Sequence, residues 1–420
     1  MLTNGPRGTK DILPDAVGEW RYVEEKIRAI CGSYGYREIR TPMFEHTELF
    51  RRGIGDATDV VDKEMYTFED RGGRSITLRP ENTAAAVRAY LQNKLYAEGF
   101  TKLFYIGSMF RYDRPQAGRM REFHQFGVEA LGGASPAVDA EVILLAVNFL
   151  KSLGLDDLAL HLNSVGCPHC RPVYRRELQG FLQAKKSDLC HDCQDRFDRN
   201  PMRILDCKED NAKGLLDGVP EIADYLCDEC REHFERVQAY LKAEGIAFEL
   251  DPRLVRGLDY YTKTAFEIQY APLGAQSAVA GGGRYDGLIE EIGGSPTPAV
   301  GFAAGLERVL LALEKQNLLP EEKQGIDAYV VALGDAAQIP AFRLQQELRD
   351  AGLSVAMDYA GRSMKAQMKQ AGKTGACLAF ILGEDEAAQQ SVMLRDMGKS
   401  EQQLIPMKEA VGKAKELCRK

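Results

Sequence analysis

The 420-residue chain contains no apolar run long enough to cross a membrane. Its first residues lack the basic-then-apolar order of a secretory leader, so the sequence predicts a cytoplasmic protein. Basic charge is not in excess either: 54 Lys and Arg face 62 Asp and Glu, a net charge of −8. That balance excludes a protein that coats RNA by bulk charge, although a local basic patch is enough for a specific contact. Internal repeats and low-complexity tracts are absent, which excludes a repeat architecture. What is present is an ordinary globular composition, 45% hydrophobic and 28% charged, in a chain long enough for two or three domains.

Chemistry concentrates in three stretches. Arg256-Gly257-Leu258-Asp259-Tyr260-Tyr261-Thr262 puts a permanent cation, a glycine, a carboxylate and two phenols within seven residues. Arginine forks onto phosphate or carboxylate oxygens, and tyrosines supply rigid walls with a polar tip. The combination fits a pocket that holds a small polar ligand beside a phosphate. The β-rich run 264–268 places this loop at a strand edge. In the second stretch an apolar strand ends in Arg111, and a Pro/Gly loop with Arg114, Arg119 and Arg121 leads into an aromatic-rich strand, 122–129. The third stretch, 300–308, has small residues entering a helix that carries Arg308. A single arginine is ordinarily a solvated surface cation. Several set in apolar or glycine-rich motifs point to anion binding.

Helical spacing over residues 17–34 is followed by a strand reading at 36–40 and by Pro42. Further strand candidates lie at 75–78, 102–110, 123–130, 159–162, 265–270 and 277–280. Short turns join several of them. The expected fold is therefore α+β, an antiparallel sheet flanked by helices, and a doubly wound parallel sheet is disfavoured. Residues 166–245 carry helical periodicity, many charges and few strand signals, and they interrupt the motif-bearing region as a helical insertion. Residues 314–325 read as a linker. Beyond it the pattern turns to β-α-β-α-β: strands at 328–333, 354–357 and 376–382, helices at 339–351 and 364–371. Residues 326–420 hold 13 Lys/Arg against 12 Asp/Glu, +1 net, which leaves −9 for the remainder of the −8 total. The C-terminal part is the less acidic one, which favours it as the RNA-facing module.

Seven of the ten cysteines fall between Cys167 and Cys230, among them the pairs Cys167/Cys170, Cys190/Cys193 and Cys227/Cys230. A cytoplasmic setting argues against disulfides. The first two pairs have 19 residues between them, a spacing suited to one four-cysteine zinc site. Reduced thiols that simply pack in a core are the other reading, and either makes Cys167, Cys170, Cys190, Cys193, Cys207, Cys227 and Cys230 structural.

In order along the chain, these stretches resemble motif 2, the histidine-specific loop and motif 3 of the histidyl-tRNA synthetases, which are class II aminoacyl-tRNA synthetases. Pro6-Arg7-Gly8-Thr9-Lys10-Asp11 resembles that family's N-terminus, and Leu78-Arg79-Pro80-Glu81-Asn82-Thr83 its substrate loop. The helix, strand and proline at 17–42 resemble motif 1, which implies a homodimer. The resemblance implies a catalytic core at 1–325 with an antiparallel class II sheet, interrupted by the 166–245 insertion, and an α/β anticodon-binding domain at 326–420. It implies a two-step reaction. L-Histidine and ATP, with Mg2+, give histidyl-adenylate and pyrophosphate, and the histidyl group then passes to the 3′-terminal ribose of tRNA(His). The implied catalytic residues are Arg111 and Arg256. The implied histidine contacts are Glu81, Thr83, Gln125, Glu129, Arg256, Tyr260, Tyr261 and Tyr285. Those implied for ATP are Arg111, Arg119, Arg121, Phe123 and Arg308, with Gln116 facing the tRNA acceptor end. Asp113 stands where many class II enzymes have glutamate, a shorter reach for one ATP contact. Catalysis in the family does not depend on protein-bound zinc, which leaves the cysteines outside the reaction. The alternative of another class is the synthetase-like regulatory subunit of ATP phosphoribosyltransferase. It usually lacks the C-terminal domain and loses substrate residues, whereas this chain keeps both.

Overall fold

The computed structural model describes residues 3–55, 58–116, 118–320 and 325–418. The chain divides into two compact units, Met1–Pro320 and Glu321–Lys420. Of the segment read as a linker, residues 314–315 still belong to the helix Leu306–Lys315, and 321–324 lie outside the described residues.

In chain order the strands of the first unit are β1 (Arg37–Glu38), β2 (Phe44–His46), β3 (Tyr66–Glu69), β4 (Ser75–Leu78), β5 (Thr101–Phe110), β6 (Glu122–Leu131), β7 (Ala159–Ser164), β8 (Glu249–Leu250), β9 (Thr262–Gln269), β10 (Ala278–Arg284) and β11 (Ala299–Gly305). Eight of them form one sheet in the order β1-β5-β6-β11-β10-β9-β7-β8, and β2-β4-β3 form a small second sheet. The large sheet is antiparallel except at its two edge pairs, β1–β5 and β7–β8. This is the expected α+β arrangement, and short connections rather than helical crossovers join β5 to β6 and β9 to β10.

Alternation along the strands decides which face is core and which is site. From β5 and β6, Phe104, Phe126, Val128 and Ala130 enter the main core. There Phe126 meets Phe149 of the helix Pro136–Ser152 edge-on at 5.0 Å and Phe302 of β11 at 5.4 Å. That helix starts at a serine cap, with Ser135 Oγ accepting from the Ala137 N–H at 3.3 Å and Pro136 in its first turn. Tyr105, Gln125, Gly127 and Glu129 point to the other face. The register continues this row across the sheet: Tyr105 opposite Gly127, Gly127 opposite Ala303, Ala303 opposite Gly281, and Gly281 opposite Glu267. A parallel row sets Glu129 opposite Gly301 and Gly301 opposite Gly283. Large polar side chains thus alternate with residues that leave space above the sheet.

The triple glycine reads in sequence as following a strand and letting backbone approach a ligand; Gly281, Gly282 and Gly283 lie inside β10 itself. A β-carbon on Gly282 would lie 2.6 Å from Phe302, so the close approach of β10 and β11 requires glycine there. Between β7 and β8 the insertion packs Tyr174, Leu178, Phe197 and Leu226 around its cysteines as a core of its own. Its last helix, Asp228–Ala243, turns Phe234, Val237 and Leu241 into the main core instead.

The second unit contains β12 (Ala328–Ala332), β13 (Val355–Met357), β14 (Leu378–Leu382), β15 (Ser391–Asp396) and β16 (Gln402–Pro406), in the order β13-β12-β14-β15-β16. The first three are the parallel strands expected from the β-α-β-α-β pattern. The antiparallel pair β15–β16 and the closing helix Ala410–Cys418 extend it. Sequence reading missed both β15 and β16; in β16 only Ile405 of Gln402–Pro406 is buried, so that strand has little apolar signal.

Candidate active site

The site lies on the glycine-spaced face of the large sheet. Glu129 is fully buried on its floor and receives three hydroxyls: Thr83 Oγ1 donates to Oε1 at 2.7 Å, Tyr105 Oη to Oε1 at 3.4 Å, and Tyr285 Oη to Oε2. Burial pushes this carboxyl up to about 8, against the pull of those hydroxyls. Gly301 makes the position possible, since a β-carbon there would collide with the Glu129 carboxylate. Beside it, Glu81 accepts the N–H groups of Thr83 at 2.6 Å and Ala84 at 3.0 Å, holding the first turn of the helix Thr83–Gln92. Burial raises the Glu81 carboxyl as well.

The loop 256–262 closes one wall. Tyr260 and Tyr261 have ring centroids 4.7 Å apart, and Tyr260 meets Tyr285 edge-on at 5.6 Å. Arg256 Nη1 donates to Glu267 Oε2 at 2.8 Å, and its guanidinium lies 5.8 Å from the Tyr261 ring centre. Burial opposes its charge, but Tyr261 and Glu267 outweigh burial and raise its pKa. The insertion holds this loop from outside: Asn200 Nδ2 donates to Asp259 Oδ1 at 2.7 Å, and Arg203 Nη1 to the Gly257 carbonyl at 3.0 Å.

Arg111 leaves β5 with Nε on the Pro80 carbonyl at 2.8 Å and its guanidinium 5.5 Å over Phe123. Arg119 pairs with Asp113, and Arg308 donates Nη1 to the Ala278 carbonyl at 2.6 Å. Burial, then the like charge of Arg119, lowers the Arg308 pKa.

Two adjoining cavities follow from this arrangement. One, of about 190 Å3, is lined by Glu81, Thr83, Tyr105, Glu129 and the three tyrosines Tyr260, Tyr261 and Tyr285. The other, of about 280 Å3, is lined by Asp113, Arg119, Phe123, Glu307 and Arg308. Arg111, Gln125 and Arg256 line both. At that junction Arg256 Nε and Gln125 Oε1 are buried with no hydrogen-bond partner among the described residues, the condition of groups that await a ligand. The structure thus gathers every residue of the proposed site except Arg121. That guanidinium lies 3.9 Å over the Tyr112 ring, with Nε on the Asp113 carbonyl at 3.2 Å, outside both cavities.

Sequence reading passed over three contributors. Glu307 accepts the His124 N–H at 2.9 and 3.0 Å and faces its Nδ1 at 2.9 Å. Glu267 anchors Arg256. Arg284, fully buried at the end of β10, pairs with equally buried Asp139 and with Asp286. Each lies beside a motif residue in sequence, but the pairings span up to 183 positions and leave no local signal. The cysteines also pair differently from their spacing. Cys167/Cys170 join Cys227/Cys230, while Cys190/Cys193 join Cys207 and Asp210, so the single site expected from the first two pairs does not form. The reason is that the segment after β7 meets the start of the helix Asp228–Ala243, where Cys167 Sγ lies 3.9 Å from Cys227 Sγ.

Residues 8–309 match the family model of histidyl-tRNA synthetase, and residues 327–417 that of an anticodon binding domain. The chain belongs to the histidyl-tRNA synthetase family. The histidine–tRNA ligase of Pelotomaculum thermopropionicum is 56% identical over 408 residues, 97% of this chain and 96% of that one. That of Moorella thermoacetica is 55% identical and covers 100% of this chain and 99% of its own. The crystal structure of apo Staphylococcus aureus histidyl-tRNA synthetase superimposes with a TM-score of 0.83 at 40% identity, covering 99% of this chain and 100% of that one. As a histidyl-tRNA synthetase the chain is an aminoacyl-tRNA ligase, an enzyme of protein biosynthesis with the class II fold. Among the described residues no helix is long and apolar enough to cross a membrane.

Proposed function

We propose that this protein activates L-histidine with ATP and transfers the histidyl group to tRNA(His). The observation that carries this reading is the junction of the two cavities at Arg111 and Arg256. A carboxylate-and-tyrosine pocket meets an arginine-lined pocket where an amino-acid carboxylate and an α-phosphate would meet.

In the first step a histidine carboxylate oxygen attacks the α-phosphorus of ATP, taken up as its magnesium complex. The bond to the β-phosphate oxygen breaks, and pyrophosphate leaves. Negative charge builds at one phosphorus between two fixed cations, which is the stabilisation such a step requires. Arg111 and Arg256 supply it. Glu129 and Tyr261 accept and orient the imidazole, while Glu81, Thr83 and Gln125 receive the α-ammonium group, with Tyr260 and Tyr285 as walls. A pocket that hydrogen-bonds both ends of its substrate rejects isosteres that leave those groups unpaired. Phe123 offers its face to adenine, and Arg119 and Arg308 reach the outer phosphates. Arg121, stacked on Tyr112, braces the loop that carries Arg119. In the second step the terminal ribose hydroxyl of tRNA attacks the histidyl carbonyl, and AMP leaves.

Residues 327–417 read the tRNA, supported by their match to an anticodon binding domain. Their presence favours the ligase over the regulatory-subunit alternative. The protein works in the cytoplasm as a homodimer, a reading supported by exposed Met43, Phe44 and Phe68 on and beside the small sheet. Histidine-dependent exchange of pyrophosphate into ATP tests the core of the proposal. Exchange with histidine alone among the amino acids, lost in Arg256→Ala, is the expected result. No exchange with histidine would overturn it.

A further inference from the structure

The seven clustered cysteines take no part in the reaction, and the fold sorts them into two sets of four ligands. In the first, the Sγ atoms of Cys167, Cys170, Cys227 and Cys230 all lie within 4.8 Å of one another. Cys167 is 3.6 Å from Cys170 and 3.9 Å from Cys227. In the second, Cys190, Cys193, Cys207 and an Asp210 oxygen meet the same limit, with Cys190 and Cys207 3.7 Å apart. These separations are far longer than the roughly 2.05 Å of a disulfide bond. They match a tetrahedron: zinc–sulfur bonds of about 2.3 Å place the sulfurs about 3.8 Å from one another.

Backbone N–H groups point at the sulfurs, as they do around metal-bound cysteines. The His169 N–H donates to Cys167 Sγ at 3.4 Å, the Cys227 N–H to Cys170 Sγ at 3.2 Å, and the Asp210 N–H to Cys207 Sγ at 3.5 Å. Cys227 and Cys190 occupy the N-cap positions of the helices Asp228–Ala243 and His191–Arg199, so each helix start fixes one ligand. The second set carries an independent sign of a missing cation. Asp210 is fully buried, Oδ1 accepts the Cys190 N–H at 2.8 Å and faces Lys213 Nζ at 3.7 Å, and Oδ2, on the side of the cysteines' site, has no hydrogen-bond partner among the described residues. A buried carboxylate oxygen without a partner is costly unless a cation meets it.

We infer that the insertion holds two structural zinc ions, one on Cys167, Cys170, Cys227 and Cys230, the other on Cys190, Cys193, Cys207 and Asp210. Four protein ligands close each site, which makes both structural. Their positions give them a task. The Gly166 carbonyl, next to the first set, accepts from Thr262 Oγ1 at 3.2 Å and the Lys263 N–H at 2.9 Å. Glu229, between two ligands of that set, receives Lys263 Nζ at 2.7 Å. Asn200 and Arg203, which hold Asp259 and Gly257, lie between Cys193 and Cys207 of the second set. The two ions therefore pin the segments that grip both ends of the loop 256–262. This consequence bears on the proposed histidine site, whereas the metal content does not depend on it.

Metal analysis of the full-length protein, purified with reductant and without chelator from zinc-supplemented culture, tests the inference. The expected content is about two zinc ions per chain, falling to about one in Cys170→Ser/Cys230→Ser and to about one in Cys193→Ser/Cys207→Ser. Where a variant does not fold, cobalt added to chelator-stripped wild-type protein gives the same information. Sulfur-to-cobalt charge-transfer bands should saturate at about two equivalents. Hydrogen exchange at 200–206 and 256–262 should quicken on zinc removal. Less than about 0.2 zinc per chain with no cobalt bands would overturn the inference in favour of ordinary thiols. Iron in place of zinc, paired disulfides in the intact mass, or a single ion lost in both variants would overturn it too.

Discussion

The guanidinium of Arg256 lies directly over Gly281: a β-carbon on the glycine would sit 2.6 Å from Arg256 Nη2 and 2.7 Å from Nη1. The obstructed atoms belong to the far end of a flexible side chain, so Arg256 can move aside at small cost to folding. It would then leave the junction of the two cavities. Gly281→Ala should therefore slow pyrophosphate exchange by about 10²-fold, the order seen when one preorganised donor is lost, while shifting the melting temperature little. An unchanged exchange rate would show that Arg256 does not act from this position.

Glu129 carries a pH signature. Its carboxyl is raised from an ordinary 4.5 to about 8, first by burial. A group raised in the folded state contributes stability that is complete below its unfolded value and is lost as pH climbs through the folded one. Urea midpoints should thus fall between about pH 5 and pH 8, with a slope of up to about 1.4 kcal/mol per pH unit from this residue. Glu129→Gln should flatten that slope and weaken histidine binding. A slope unaltered in the variant would remove Glu129 as its source.

Arg119 and Arg121 separate by position. Arg119 lines the phosphate-side cavity, and Arg121 stacks on Tyr112 outside it. Arg119→Ala should raise the KM for ATP by about tenfold or more, the worth of one charge-assisted hydrogen bond. Arg121→Ala should raise it less. Equal effects would mean that Arg121 leaves its stack to meet the nucleotide.

Asp139 compensates the fully buried Arg284, whose Nε it accepts at 3.1 Å, and it also faces His233 Nε2 at 3.2 Å. Asp139→Ala leaves the buried Arg284 with Asp286, 3.0 Å from its Nη1, as its remaining counter-charge, and should cost up to about 3 kcal/mol in chemical denaturation. Burial pushes the Asp139 carboxyl up, but the His233 hydrogen bond and then Arg284 outweigh it and hold the carboxyl below its ordinary 3.8. Its contribution is therefore present above that value and lost as the pH falls below it. Wild-type protein should show the steeper acid loss, and equal acid sensitivity in Asp139→Ala would refute the assignment.

Much of this was legible in sequence because it is local. The strands β5 and β6 announce themselves by alternation, and the loop 256–262 by its density of functional groups. The triple glycine was legible as a backbone approach but not as a strand, because glycine carries no strand preference and only its pairing with β9 and β11 decides. Spacing also misjudged the cysteines. A Cys-x-x-Cys pair shows that two ligands act together, but the partner pair depends on which helices converge.

The sequence by itself determined the α+β class, the order of the motifs and the identity of the residues that carry charge to the site. These follow from side-chain chemistry and short-range periodicity. Only the tertiary structure decided that Glu129 sits in a dry floor under three hydroxyls, that Arg121 stands apart from Arg119, and that seven cysteines and Asp210 form two centres. Burial and contacts between residues up to 183 positions apart are properties of the closed sheet and the packed insertion. No window of sequence contains the neighbours that set a buried group's charge.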